Sequence, residues 1–360
     1  MKNFNRFITA IILIILLSFT FACAPKGSAI DFSYFNTNIH IETYGKVISN
    51  QAETKLRNIF SALESEFDID NQNSLTYKFN SASIGEKFSL TDNGVKVVKA
   101  ALDGYVFSDG CYDPSIYPLV KLWQFSPNYP VINFSVPSES DILSQLERVN
   151  FSSVLLDQTA RTLTKTNANT LIDFGGIVKG YATDMAYEIL SSLGYTDGYI
   201  NIGGSSLTLL NAPSLGIRHP RPTENIPNII TVNTKNKIGL SVSTSGDYQK
   251  YYVKDGISYS HIINPFDGKP SQTGIQSVTI LGANGAFSDA ITTATCLKEY
   301  SPENHSSSPL TLFIKKIINA YPNASVFAVY DKGNQKRIIT NEKESESFTL
   351  HDQTYSIYNV

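Results

Sequence analysis

Apolar and polar positions alternate through "IDFSYFNTNIHIETYG", residues 30–45, a pattern that predicts two strands. Beyond it Ala52, Leu56, Ile59, Phe60, Leu63 and Phe67 recur at helical spacing, and the polar stretch "DIDNQNS" ends that helix. Thr91 or Ser89 is placed to cap a second helix carrying Val95, Val98, Leu102 and Tyr105. Prolines at 114, 118, 127 and 130 predict an ordered but irregular segment, followed by a helix over 138–148 and a hairpin over 153–172. Leu171 and Ile172 read as a strand end before the turn "DFGG". Val178, Ala182, Met185, Ala186, Ile189, Leu190 and Leu193 then form an amphipathic helix that stops at Gly194. Short strand-like pieces follow ("GYINIGG", "KIGLSVSTS", "YSHIINP", "IQSVTIL"), then a helix in "AFSDAITTATCLKEY" and another from Leu310 to Tyr321. The strand "SVFAVYD" leads to a hairpin turn at "KGN". Strands and helices are mixed without a βαβ beat, so the expectation is α+β: one compact mixed α/β unit with two lobes.

The extreme N-terminus does not belong to this pattern. Lys2 and Arg6 precede an apolar run from Phe7 to Phe21, too short for a comfortable membrane span, and Ala22 stands directly before Cys23. Residues 1–22 read as a cleaved export signal, and Ala22 before Cys23 resembles the lipobox of bacterial lipoproteins, which implies that Cys23 is the lipidated first residue of a folded unit over 23–360. A plain secretory signal with an incidental cysteine is the other reading. Multiple acyl chains hold a protein to a bilayer where a single one would not, so the expected location is exported and lipid-anchored to a bacterial membrane, the inner one facing the periplasm.

Composition narrows the partners. Over 360 residues the formal net charge is -3, with 42% hydrophobic residues, so no basic field offers itself to nucleic acid. Beyond Cys23 only Cys111 and Cys296 remain, which is no disulfide framework and no metal-ligand spacing. No nucleophile elbow, zinc-helix motif or P-loop is present.

Several small constellations could carry chemistry. "LIDFGGIVKGYATD" sets Asp173, Gly175 and Gly176 before a helix with Lys179 in its first turn, a geometry that offers backbone N–H groups to an anion. The same residues fit a tight turn in which Asp173 merely caps the helix. Asp289 and Thr293 share one helix face and are hard oxygen ligands suited to Mg²⁺, though a solvated face has the same spacing. Ser243, Thr244, Ser245 and Gly246 read as a hydroxyl-rich turn. His261, before an Asn-Pro turn, is either a structural residue or a proton acceptor near neutral pH. Trp123 reads as a core anchor.

Taken in order, these pieces resemble the bacterial flavin transferase family known as ApbE. "GCYDPSIYPLVKLWQF", "LIDFGGIVKGYATD", "LSVSTSGDYQKYY", "YSHIINPFDGKP" and "SDAITTA" are similar to five motifs of that family, in the family's order, over roughly residues 35–300. Phe35 and Asn36 stand where the family has Met-Gly, and Asn264 where it has Asp. The resemblance implies Mg²⁺-dependent transfer of FMN from FAD to a threonine or serine hydroxyl of a flavin-acceptor protein, such as a membrane redox-complex subunit, with release of AMP. Two alternatives share these motifs: FAD hydrolysis to FMN and AMP, and a flavin-binding lipoprotein without turnover. By the same resemblance Cys111, Tyr112, Asp113, Asp173, Lys179 and Ile262 contact the flavin nucleotide. Gly176 would give a backbone oxygen to the metal, beside the side chains of Asp289 and Thr293. His261 or a carboxylate would take the proton of the incoming hydroxyl.

Overall fold

The computed structural model of the protein describes residues 27–126 and 134–360. The expected signal, Cys23 and the prolines at 127 and 130 lie outside the described residues. A nine-stranded sheet forms the frame. Its strands are β1 (Ser28–Tyr34), β2 (Thr37–Thr43), β3 (Gly198–Ile202), β4 (Ser206–Asn211), β5 (Ile238–Gly246), β6 (Ile275–Leu281), β7 (Ser325–Lys332), β8 (Gln335–Thr340) and β9 (Ser356–Asn359). They neighbour one another in space in the order they occur in the chain. Each adjacent pair is antiparallel except the last, β8 with β9. The absence of a βαβ beat in the sequence has this cause.

Both faces of the sheet are covered, so strands such as β7 read as nearly continuous apolar runs. Val326, Ala328 and Tyr330 point to the larger core, while Phe327 and Val329 point to the smaller one. The larger core is built with α1 (Asn50–Phe67), α2 (Leu75–Ser81) and α3 (Asp92–Phe107). The chain then forms α4 (Tyr117–Leu122) and α5 (Glu139–Leu146), whose Leu119 and Ile142 pack with Trp123 in a third cluster. The larger core is completed by α6 (Val178–Ser192), α7 (Gly285–Cys296) and α8 (Pro309–Ala320). A separate three-stranded sheet made by 214–223, 226–233 and 348–350 covers the opposite face. Trp123 is the anchor the sequence suggests: buried, with its indole N–H donating to the Gly268 carbonyl at 2.8 Å.

Most helix ends follow the sequence. Ser49 caps α1 through Ala52 N, and Thr91, rather than Ser89, caps α3 through Gly94 N. Gly194 ends α6 at φ +75, where only glycine sits without strain. Three expectations are corrected. Residues 114–122 are helical, a 3-10 turn (Pro114–Ile116) running into α4, because Pro114 and Pro118 occupy first-turn positions that need no N–H. Ser243 to Gly246 form the end of β5 rather than a turn. The predicted strand end at Leu171 and Ile172 does not exist. Ile172 N donates to Asn80 Oδ1 at 2.7 Å and Ile172 O accepts from Asn80 Nδ2 at 2.9 Å, so a side chain on α2 takes both groups a ladder would use.

Candidate active site

Two helices cross at the floor of the site. A Cβ added to Gly180 in α6 would run into the Gly285 carbonyl, and one on Gly285 in α7 into that of Gly180. Only glycines allow backbones this close. Gly180 N donates to Asp289 Oδ2 at 3.1 Å, and Ser206 Oγ on β4 donates to Asp289 Oδ1 at 3.2 Å. The Lys179 ammonium donates to the Gly175 carbonyl at 2.6 Å and lies 3.9 Å from Asp289 Oδ2. Asp289 is 5% exposed, and burial pushes its carboxyl above the usual range against the pull of Lys179 and its two donors. The solvated-face alternative for Asp289 is thereby excluded. On the same face Thr293 Oγ1 lies 3.1 Å from Ser245 Oγ at the end of β5.

The glycine turn is held from three sides. Asn80 grips Ile172, Asp173 N donates to the Pro114 carbonyl at 2.8 Å, and Asp173 Oδ1 accepts from Gly175 N at 2.7 Å. Asp173 therefore closes its own turn and does not cap α6, whose cap residue Ile177 makes no side-chain bond. Burial raises the Asp173 carboxyl. Tyr112 packs its ring beside Gly176, within 3.3 Å of where a Cβ would be. Its hydroxyl is buried without a hydrogen-bond partner among the described residues, and burial and three nearby carboxylates push its pKa well up. Asp113 caps the 3-10 turn through Ser115 N and Oγ, and burial raises it too.

His261 stands opposite. Its Nδ1 lies 3.2 Å from the Lys250 carbonyl. A carbonyl only accepts, so Nδ1 carries the proton and Nε2 holds the lone pair. Burial, then the charge of Lys250, lowers the ring's pKa to about 4, so it is neutral at pH 7.

These residues line one cavity of about 440 Å³. Cys111, Tyr112, Asp113, Asp173, Gly176, Lys179, His261, Ile262, Asp289 and Thr293 all reach it. Val120 and Phe125 add apolar wall, and Phe35 and Asn36 enter from the β1–β2 turn, both at positive φ. Cys111 is half-buried with its sulfur 3.0 Å from Lys298 Nζ, whereas Cys296 is buried; both are free thiols. Among the described residues no group of three His, Cys, Asp or Glu side chains could hold a metal. Sequence reasoning missed Asn80 as the clamp of the turn, Lys250 as the partner of His261, and Asp184. Asp184 lies one helical turn beyond Gly180, and that i, i+4 spacing was the available signal.

Sheet, crossed helices and cavity together define an α+β protein with a ligand site floored by carboxylates and walled by aromatic rings. The chain belongs to the ApbE family, whose model matches residues 35–304. It is 25% identical over 256 residues to the FAD:protein FMN transferase of Vibrio cholerae, covering 71% of this chain and 75% of that one. It is 26% identical over 313 residues to the FAD:protein FMN transferase of Rhodobacter capsulatus, covering 85% of this chain and 58% of that one. The solved ApbE protein of Thermotoga maritima superposes with a TM-score of 0.71 at 25% identity, over 85% of this chain and 94% of that one. The flavin transferase ApbE of Vibrio cholerae shares the fold with a TM-score of 0.69 at 21% identity, over 91% and 96%.

Proposed function

We propose that the protein transfers the FMN half of FAD to a threonine or serine hydroxyl of a partner protein and releases AMP. One observation carries this reading: every site residue the family motifs imply, from four separated segments, converges on the same cavity in a chain of that family. In the step, the hydroxyl oxygen bonds to the FMN phosphorus, the bond from that phosphorus to the oxygen of AMP breaks, and the hydroxyl proton goes to His261 Nε2. A neutral ring with its other nitrogen locked on a backbone carbonyl is suited to that task, worth roughly 10²–10⁴-fold. Lys179 and Lys250 bring positive charge to the pyrophosphate, and the unpaired Tyr112 hydroxyl is a donor for the bound nucleotide. Cys111, Asp113, Asp173 and Ile262 would complete the nucleotide's contacts.

The residues present fit Mg²⁺. The Lys179 ammonium already sits between a turn carbonyl and a buried carboxylate, the hard-oxygen mixture such an ion selects. Asp289, Thr293 and the Gly176 carbonyl would hold it. When bound, the ion neutralises the pyrophosphate and the departing AMP phosphate.

The test is to mix the protein with FAD, Mg²⁺ and a flavin-acceptor domain and to look for a fluorescent acceptor band on a denaturing gel. FMN and AMP without a labelled acceptor would instead mark a hydrolase, and intact FAD a binder. His261→Gln should cut transfer by roughly 10²–10⁴-fold while FAD binding persists.

The same proposal includes export and anchoring through a lipid on Cys23, supported by Lys2 and Arg6, the apolar run and Ala22 before the cysteine. No described helix is long and apolar enough to cross a membrane. Cys23→Ser should move the protein to the soluble fraction.

A further inference from the structure

The described chain starts at the end of β1 remote from the cavity, and three elements measure the distance. Strand β1 starts beside Thr43 and ends at the β1–β2 turn, where Phe35 and Asn36 line the cavity. Seven strand residues span about 20 Å. Helix α6 begins at Val178 and Lys179, which also line the cavity, and ends at Ser192, fifteen residues and about 22 Å away. Strand β3 runs from Gly198, paired with Thr43, to the cavity residue Gly203 just beyond its end.

The pole remote from the cavity has a built surface. Gly27 packs against the backbone of Thr43 and Tyr44. The following loop exposes Tyr44 (47%) and Val47 (58%) on either side of Lys46. The loop is braced: Tyr44 N donates to the Asp197 carbonyl, Tyr195 Oη donates to the Val47 carbonyl at 3.1 Å, and Lys46 lies over the Tyr195 ring at 4.6 Å. An exposed tyrosine, an aliphatic residue and a lysine on a fixed loop match the headgroup region of a bilayer. Cys23 is four residues before Gly27, which bounds their separation at about 14 Å. A lipid on Cys23 therefore holds this loop within a short reach of the bilayer surface.

We propose that the anchored protein stands on the bilayer through Tyr44, Lys46 and Val47, with the cavity at the opposite pole. The acceptor hydroxyl is then presented by a partner segment that stands about 20 Å or more off the membrane. This rests on the lipid-anchor reading of Cys23.

The test uses the full lipidated chain in vesicles of phosphatidylethanolamine and phosphatidylglycerol doped with bromine-labelled lipid, which quenches tryptophan on contact. The wild-type chain, with its single Trp123, supplies the baseline. Added emission from Val47→Trp should be largely lost, and that from Asn36→Trp, at the cavity rim, should persist. Tyr44→Trp replaces Val47→Trp if that variant does not fold. Quenching of Asn36→Trp as strong as that of the loop variant overturns the orientation while leaving the anchor intact. Vesicle binding by Cys23→Ser equal to wild type overturns the anchor, and the orientation with it.

Discussion

The two helices that cross at Gly180 and Gly285 start in different ways, although each donates a backbone N–H to a carboxylate of the other. The start of α7 is closed by the protein's own acceptors. Asn284 accepts from Phe287 N at 2.8 Å, and the Asp184 carboxylate accepts from Gly285 N at 2.8 Å and Ala286 N at 3.2 Å. The cap residue of α6, Ile177, makes no side-chain bond, its first-turn Gly180 N donates to Asp289 Oδ2 at 3.1 Å, and two glycines at the cavity precede it. Partial positive charge at a helix start is stabilised by an anion, whichever molecule supplies it. Asp184 supplies it for α7, which fixes that helix and so the positions of Asp289 and Thr293. At α6 it is supplied by Asp289, which also reaches the cavity. A start closed by Asp184 thus serves as scaffold, and one closed by a cavity-lining carboxylate ties its helix to the site.

The largest expected effect comes from the residue the two helices share. Asp289→Ala removes the only anionic side chain among the proposed metal ligands and the acceptor of Gly180 N. Transfer should fall by more than about 100-fold, since even partners one shell further out cost 10–100-fold. FAD affinity, followed by flavin fluorescence, should change less. Near-normal turnover in saturating Mg²⁺ would place the metal elsewhere.

Breaking the closed start should act on stability instead. Asp184→Ala leaves two buried N–H groups without partners, and about 1–3 kcal/mol should be lost in a denaturant titration. The pH dependence has a definite sign. Burial outweighs the helix N–H bonds and raises Asp184 to about 6, above its unfolded value near 3.8. Between those values the folded state binds the proton more tightly, so this group's contribution falls as pH rises from about 4 to 6 and is level above. Asp184→Asn should lack that slope. An identical slope in both proteins would assign it to other groups.

The start of α6 should give the smallest change. Lys179→Met keeps the stem and removes the charge beside the turn, and FAD should bind roughly tenfold more weakly, the low end for a bond to a charged group. Thermal stability should hardly move, because the Lys179 head group is partly exposed. An unchanged dissociation constant, measured by isothermal titration, would mean that the phosphates lie away from α6.

Local patterns were legible where one physical cause acted alone. The stripe from Ala52 to Phe67 gave α1, and Val178 to Leu193 gave α6, because burial on one face imposes helical spacing. "KGN" became a two-residue hairpin turn with Gly333 and Asn334 both at positive φ. The site residues were named through ordered motifs, and their meeting in one cavity was not visible in spacing. Leu171 and Ile172 misled because apolar residues can be extended without joining a sheet, and the side chain that takes their place in the ladder lies 92 positions away. His261 could be suspected from sequence, but its tautomer depends on a carbonyl eleven positions back, across a hairpin.

The agreement between chain order and strand order has a kinetic consequence. A chain that crosses a membrane N-terminus first emerges as a growing thread, and each strand from β3 onward finds its neighbour already at the exposed edge. Most pairings then join segments close in sequence, the arrangement that folds fast and leaves sticky edges open briefly. The exception is the stretch from residue 44 to 197, which must come through before β3 can pair with β2. That stretch carries Cys111, Asp173 and Lys179, whereas His261, Asp289 and Thr293 follow it, so the pairing of Ile41 with Ile200 sets one wall of the cavity and the strands and helix after β3 complete it.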